Sequence, residues 1–220
     1  MKYLRYFFYI AWNWNLRIAL HLLGSEIRGE KKYHIQTTAI DELHSLEENG
    51  IDIDHATIYM PVSYPLLEAA LEQSTPGKDS HFLDIGCGMG RALCVAAHRG
   101  FMKVSGIDLS RELCEAAKNN LAITKNEIPS LQYSVINNDA FYFEIPADAD
   151  CLFLFNPFDE IIMSGVLANI MHSLSLHKRK MQVIYVNPLH KELFLAAGFV
   201  ETWYTKKLHY LEASILSTPA

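Results

Sequence analysis

The chain has 220 residues, half of them hydrophobic, and a formal charge of −6. That length suits one α/β domain with an N-terminal addition, and the apolar content supplies a sizeable core and excludes a disordered chain. The acidic balance argues against a protein that binds nucleic acid over its whole surface; the short basic runs at 28–32, 177–180 and 206–207 read as solvated loop charge.

The first 23 residues are rich in aromatics (Phe7, Phe8, Tyr9, Trp12, Trp14) but are interrupted by Asn13, Asn15, Arg17 and His21. The run is too short and too polar for a membrane-spanning helix, and it offers no small-residue cleavage site of a signal peptide. Its apolar residues recur at helical spacing, which predicts an amphipathic helix packed on the domain or on a partner, with peripheral membrane contact through residues 1–23 as the alternative. Residues 24–58 are polar and broken by Gly24, Gly29 and Gly50, with a helical piece expected at Thr38–Glu48. Residues 62–73 read as a helix ended by Pro76-Gly77.

From His81 the pattern changes to apolar strands alternating with amphipathic helices, as in a parallel sheet covered on both faces. Strands are expected at His81–Ile85, Lys103–Asp108, Leu131–Ile136, Cys151–Phe155 and Met181–Val186. Helices are expected at Arg91–His98, Ser110–Thr124 (with Ser110 as N-cap), Ile161–Leu174 and Lys191–Ala197, the last closed by Gly198. Phe199–Tyr204 and Leu208–Leu216 alternate like a hairpin turning at Lys206-Lys207. The four cysteines, Cys87, Cys94, Cys114 and Cys151, form no C-x-x-C pair and no zinc spacing, which implies a reducing, cytoplasmic setting and no metal site.

Ligands of open parallel sheets bind beyond the carboxyl ends of the strands. Those ends carry the chemistry here: Gly86-Cys87-Gly88-Met89-Gly90, then Asp108, then Asn138-Asp139-Ala140-Phe141, then Asn156-Pro157-Phe158. Counted from Gly86, the third glycine of a dinucleotide fingerprint would fall at Arg91, and it falls at Gly90 instead. Asp84 would also repel a pyrophosphate at close range, whereas a sulfonium nucleoside with a free amino group suits it. Asp108 has two oxygens for two ribose hydroxyls. Asp139 can accept from an adenine amino group, with Leu109 and Phe141 against the ring.

These residues resemble the motifs of the class I S-adenosylmethionine-dependent methyltransferases, from about Tyr59 to the C-terminus. Leu83-Asp-Ile-Gly-Cys-Gly-Met-Gly90 is similar to their first motif, Gly106-Ile-Asp-Leu-Ser110 to the second, Asn138-Asp-Ala140 to the third and Phe155-Asn-Pro-Phe158 to the fourth. The resemblance implies a Rossmann-like three-layer α/β sandwich whose seven-stranded, mostly parallel sheet has one antiparallel strand. It implies a domain over 59–220 with a helical extension over 1–58. It also implies S-adenosyl-L-methionine held by Tyr59, Asp84, Gly86, Cys87, Gly88, Gly90, Asp108, Leu109, Asp139, Ala140 and Asn156, with catalysis at Asn156, Pro157 and Phe158. A narrower resemblance, carried by Tyr59-Met-Pro-Val-Ser-Tyr64 and Phe155-Asn-Pro-Phe158, is to a bacterial group distantly similar to the telomeric-silencing-type histone-lysine methyltransferases.

An amine nitrogen is then the expected acceptor, on a protein or small molecule rather than a nucleic acid. Asn156 would accept a hydrogen bond from it, while Phe158 and Tyr64 face the cationic centre. No histidine has an evident carboxylate partner, and Asp159 and Glu160 read as helix-start acids. A non-catalytic binding module and a nicotinamide oxidoreductase are the competing readings.

Overall fold

The computed structural model describes residues 2–13, 16–38, 61–155, 158–207 and 211–219. Seven strands form one sheet: β1 (His81–Ile85), β2 (Lys103–Asp108), β3 (Gln132–Asn137), β4 (Ala149–Phe155), β5 (Gln182–Val186), β6 (Val200–Lys207) and β7 (Leu211–Ser217). Their order is β3-β2-β1-β4-β5-β7-β6, with β1 to β5 parallel and β7 antiparallel to both of its neighbours. This is the expected Rossmann-like sheet with one antiparallel strand. The chain winds outward from β1 to β3 on one side and from β4 on the other, so strand order reverses between β1 and β4. In open parallel sheets a ligand binds beyond the carboxyl ends of the strands at such a reversal.

The interior strands β1, β4 and β5 are buried on both faces, whereas the edge strands β3 and β6 are largely exposed. In β1, Phe82 joins one core cluster while Leu83 and Ile85 join the other. The first cluster lies under α3 (Tyr64–Leu71), α4 (Arg91–His98) and α5 (Arg111–Glu127); the second lies under α6 (Glu160–Leu176) and α7 (Lys191–Ala196). Ser110 caps α5 as expected, its Oγ accepting from the Leu113 N–H at 3.2 Å. Such a cap contributes about 1 kcal/mol.

The N-terminal segment departs from expectation. Two helices are present, α1 (Lys2–Asn13) and α2 (Leu16–Tyr33), and α2 runs straight through Gly24 and Gly29. Gly29 is there for approach rather than for breaking: a Cβ on it would lie 2.2 Å from the Tyr64 ring. Packing of α2 against α3 outweighs the roughly 1 kcal/mol that a helical glycine costs. Of the helix expected at Thr38–Glu48, Thr38 is non-helical and the remainder lies outside the described residues. The tail hairpin is present, but β6 continues through Lys206 and Lys207 instead of turning there.

Candidate functional site

The glycine turn hangs from the neighbouring strand. Gly86, Gly88 and Gly90 have φ of 83°, 51° and 78°, a region that side chains rarely enter. The Gly86 and Cys87 N–H groups both donate to the Ile107 carbonyl, at 2.9 and 2.8 Å. The turn can pass this close only because β2 carries Gly106, where a Cβ would meet Cys87 Sγ at 2.8 Å and Leu93 at 2.7 Å. Gly90 then starts α4, against Ala117 of α5.

Two carboxylates end the adjacent strands. Asp108 accepts from the Gly88 N–H at 2.7 Å and from the Ser110 N–H at 2.9 Å, so one side chain fixes both the turn and the start of α5. Burial raises its pKa, and the N–H groups of Ser110, Gly88 and Leu109 pull the other way. Asp84 is only 3% exposed, and among the described residues none donates a hydrogen bond to it. Burial, then the charge of Asp108, pushes its carboxyl well above the usual range. A buried acid without a donor, beside a second acid, favours a cation. The Cys87 thiol is pushed up by the same burial and then by the same two acids, so it is held protonated. All four cysteines are free and buried.

Beyond β3 the chain lies beside Asp108. The Asn138 N–H donates to the Asp108 carbonyl at 3.1 Å, and Asn137 Nδ2 donates to the Asp108 and Leu109 carbonyls at 3.0 and 2.7 Å. Asp139 caps a short 3-10 turn over Ala140–Tyr142, accepting from the Phe141 N–H at 2.8 Å. The structure thus brings together Asp84, Gly86, Cys87, Gly88, Gly90, Asp108, Leu109 and Asp139. Ala140 belongs to the second core cluster, with half-buried Phe158 packed against it, and the Phe141 ring packs on Gly165 of α6. Tyr59, Asn156 and Pro157 lie outside the described residues. Asp159 caps α6, accepting from the Ile162 N–H at 3.0 Å.

Two expectations are corrected. Tyr64 does not offer its ring to a ligand cation: it is buried, stacked on Tyr33 at 5.7 Å, and covered by the Arg91 guanidinium at 4.1 Å from its centroid. Histidines do have carboxylate partners: His81 Nδ1 lies 3.0 Å from Asp148, and His34 Nδ1 lies 2.6 Å from Glu127. His81 opens β1, at the opposite end of the strand from the glycine turn.

Sequence reasoning missed the fastening of the N-terminal helices to this turn. Arg91, immediately after Gly90, is buried and forks onto Glu26 of α2 at 2.5 and 3.0 Å. It also donates to the Val62 carbonyl at 2.6 Å and to Thr37 Oγ1 at 2.8 Å. Glu30, one helical turn on from Glu26, accepts from the Thr37 and Thr38 N–H groups at 2.8 and 2.7 Å and from the Tyr3 hydroxyl. Asn120 of α5 donates to the Met89 carbonyl at 2.9 Å and bonds Gln36 through both its carbonyl and its N–H. The strap at 36–38 is therefore pinned to the glycine turn from two sides. Its only trace in the sequence is the i, i+4 pair Glu26 and Glu30.

Residues 82–177 match a protein-family model described as a methyltransferase domain. No curated protein matches the chain. Among solved structures, the chain is similar to a ribosomal protein L11 methylase from Lactobacillus delbrueckii subsp. bulgaricus, at 18% identity and a TM-score of 0.53, over 70% of this chain and 77% of that one. It is also similar to an RNA methyltransferase from Salinibacter ruber in complex with S-adenosyl-L-homocysteine, at 16% identity and a TM-score of 0.52, over 73% and 94% of the two chains. At those identities the likeness establishes the shared fold.

Proposed function

We propose that this chain is a methyltransferase that uses S-adenosyl-L-methionine. The observation that carries the reading is the pair of buried acids at the ends of adjacent parallel strands, Asp84 without a donor among the described residues and Asp108 tied to the glycine turn. The residues fit that cofactor. Asp84 offers its carboxyl group to the ammonium of its amino-acid part, whose charge would favour the ionised form. Asp108 spends two acceptor positions on backbone N–H groups and keeps others for ribose hydroxyls. Asp139 uses Oδ1 in its own turn and keeps Oδ2 for an exocyclic amine. A nicotinamide dinucleotide fits worse, because its pyrophosphate would meet Asp84 at the turn and the third glycine falls at Gly90 rather than at position 91.

Bound here, S-adenosylmethionine supplies an electrophilic methyl group for in-line displacement by the acceptor. The protein's part is to place the two partners and to keep water out. The acceptor in this reading is an amine nitrogen, which supports a role for Asn156 as acceptor of one of its hydrogens, leaving the lone pair aimed at the methyl. The basis for the nitrogen is the similarity of Asn156-Pro157-Phe158 to the Asn-Pro-Pro-aromatic motif of amino-group methyltransferases; one proline of that motif is missing here and Asp159 follows, which weighs against a nucleic-acid base.

Thermal denaturation tests the cofactor, since a ligand that binds only the folded state raises the apparent melting temperature. S-adenosylmethionine raises it and NAD does not, and Asp108→Ala removes the shift. A shift with NAD alone, or a full shift in Asp108→Ala, overturns the reading. Transfer of labelled methyl to amine acceptors by wild type, lost in Asn156→Ala with the thermal shift intact, separates an enzyme from a binding module.

A further inference from the structure

We propose that α1 and the start of α2 dock this protein on an anionic lipid surface. The inference does not depend on the methyltransferase reading.

In α1, Tyr3, Phe7 and Ala11 form a half-buried row, whereas the next row, Leu4, Phe8 and Trp12, is 66%, 62% and 90% exposed. In α2 the inward row includes Ala19, Leu22 and Glu26, and the outward one holds exposed Leu16, Leu20 and Ile27. The two helices pack together, and the Tyr3–Glu30 hydrogen bond joins the start of α1 to the end of α2. They therefore run antiparallel, with Trp12 and Leu16 near the same end of the hairpin. Each helix thus shows solvent a row of large apolar side chains, two of them aromatic, while its other row packs inward. Scattered apolar residues on a surface need no explanation, but rows at i, i+4 on two paired helices do.

Charge selects the occupant. Residues 1–25 contain Lys2, Arg5 and Arg17 and no acid, whereas all 25 acidic residues of the chain lie beyond them. A face built for a second copy of this acidic chain gains little from excluding every carboxylate. A face built for anionic headgroups gains directly, because each acid would be repelled and each basic residue attracted. Trp and Phe among Leu suit the boundary between headgroup and acyl chain. Among the described residues no helix is long and apolar enough to cross a membrane, so the hairpin would lie in the surface plane.

Flotation of the full-length chain with phosphatidylcholine vesicles, with and without phosphatidylglycerol, tests this. Wild type is expected to float with the phosphatidylglycerol vesicles, much less with pure phosphatidylcholine, and less at raised salt. Phe8→Ser/Trp12→Ser should lose most of the floated fraction with an unchanged melting temperature, since both rings are exposed. Lys2→Gln/Arg5→Gln/Arg17→Gln, which leaves those rings in place, should lose the preference for anionic vesicles. Absence of flotation on either vesicle overturns the proposal, as does flotation undiminished by both variants. So does a lipid-free wild-type dimer that Phe8→Ser/Trp12→Ser dissociates, because a second copy would then cover the face.

Discussion

His81 and Asp84 are three residues apart on β1, and their surroundings are opposite. At the strand's start all three nitrogens of His81 are engaged: Nδ1 with Asp148, Nε2 with Ser105 Oγ at 2.8 Å, and the backbone N–H with Asp150 at 2.9 Å. Lys103 adds its charge to Asp148. At the strand's end Asp84 is as deeply buried and receives no donor from the described residues, while Asp108 lies beside it. One end is closed by partners and the other has none among the described residues. A buried polar group without a partner is costly, and that contrast is the basis of the cofactor proposal for Asp84.

The two ends respond to pH with opposite signs. Burial alone would raise Asp148, but hydrogen bonds from Lys103 and His81 hold it down at about 2. A depressed acid lends stability above its ordinary range and loses it as pH falls toward 2. Asp148 is half exposed, so that contribution is small. Asp84 is raised, so the folded state binds its proton more tightly than the unfolded chain. The contribution of Asp84 to the stability of the ligand-free protein is therefore full at low pH and falls as pH rises from the ordinary carboxylate range toward the elevated pKa.

The largest effect on stability is expected where the turn is fastened rather than where it binds. Arg91→Met leaves Glu26 buried without a charge partner, with only the Thr38 hydroxyl, among the described residues, donating to it, and urea unfolding should show a loss of about 3–5 kcal/mol. Arg91→Met/Glu26→Met should recover most of it, because an apolar pair replaces a buried ion pair at little cost. Equal losses in the single and double variants would mean that the ion pair is not what holds α2. A smaller effect is expected at the closed end of β1. His81→Ala takes one hydrogen-bond partner from each of Asp148 and Ser105, which keep Lys103 and Ser134, and should cost roughly 1–3 kcal/mol, with S-adenosylmethionine affinity unchanged in calorimetry. A loss of affinity there would erase the contrast between the two ends.

Much of this was legible in the sequence where local chemistry decides. Five parallel strands could be placed because each is an apolar run bounded by turn or cap residues, and the site because glycines and acids fall at the strand ends. The order of the strands was not read from the pattern; the resemblance carried only the seven-stranded, mostly parallel sheet with one antiparallel strand. The fastening of the turn was illegible because it is non-local. Arg91 reads as an ordinary first residue of a helix until Glu26, 65 positions earlier, is seen against it. The glycines of α2 misled for the same reason, since Gly29 answers to Tyr64, 35 residues later. Tyr64 was offered to a ligand because nothing in the sequence reveals that Arg91 already covers its face.

Calorimetric titration of S-adenosylmethionine into wild type and Asp84→Asn, with the ligand-free melting temperature of each followed against pH, tests the central claim most directly. Removing the unpaired charge should weaken binding about 10- to 100-fold, the worth of one charge-assisted hydrogen bond. The same substitution should raise the ligand-free melting temperature and flatten its decline with rising pH. Unchanged affinity in Asp84→Asn, or a variant less stable than wild type across the pH range, would contradict the assignment of Asp84 as the acid that waits for the cofactor's cation.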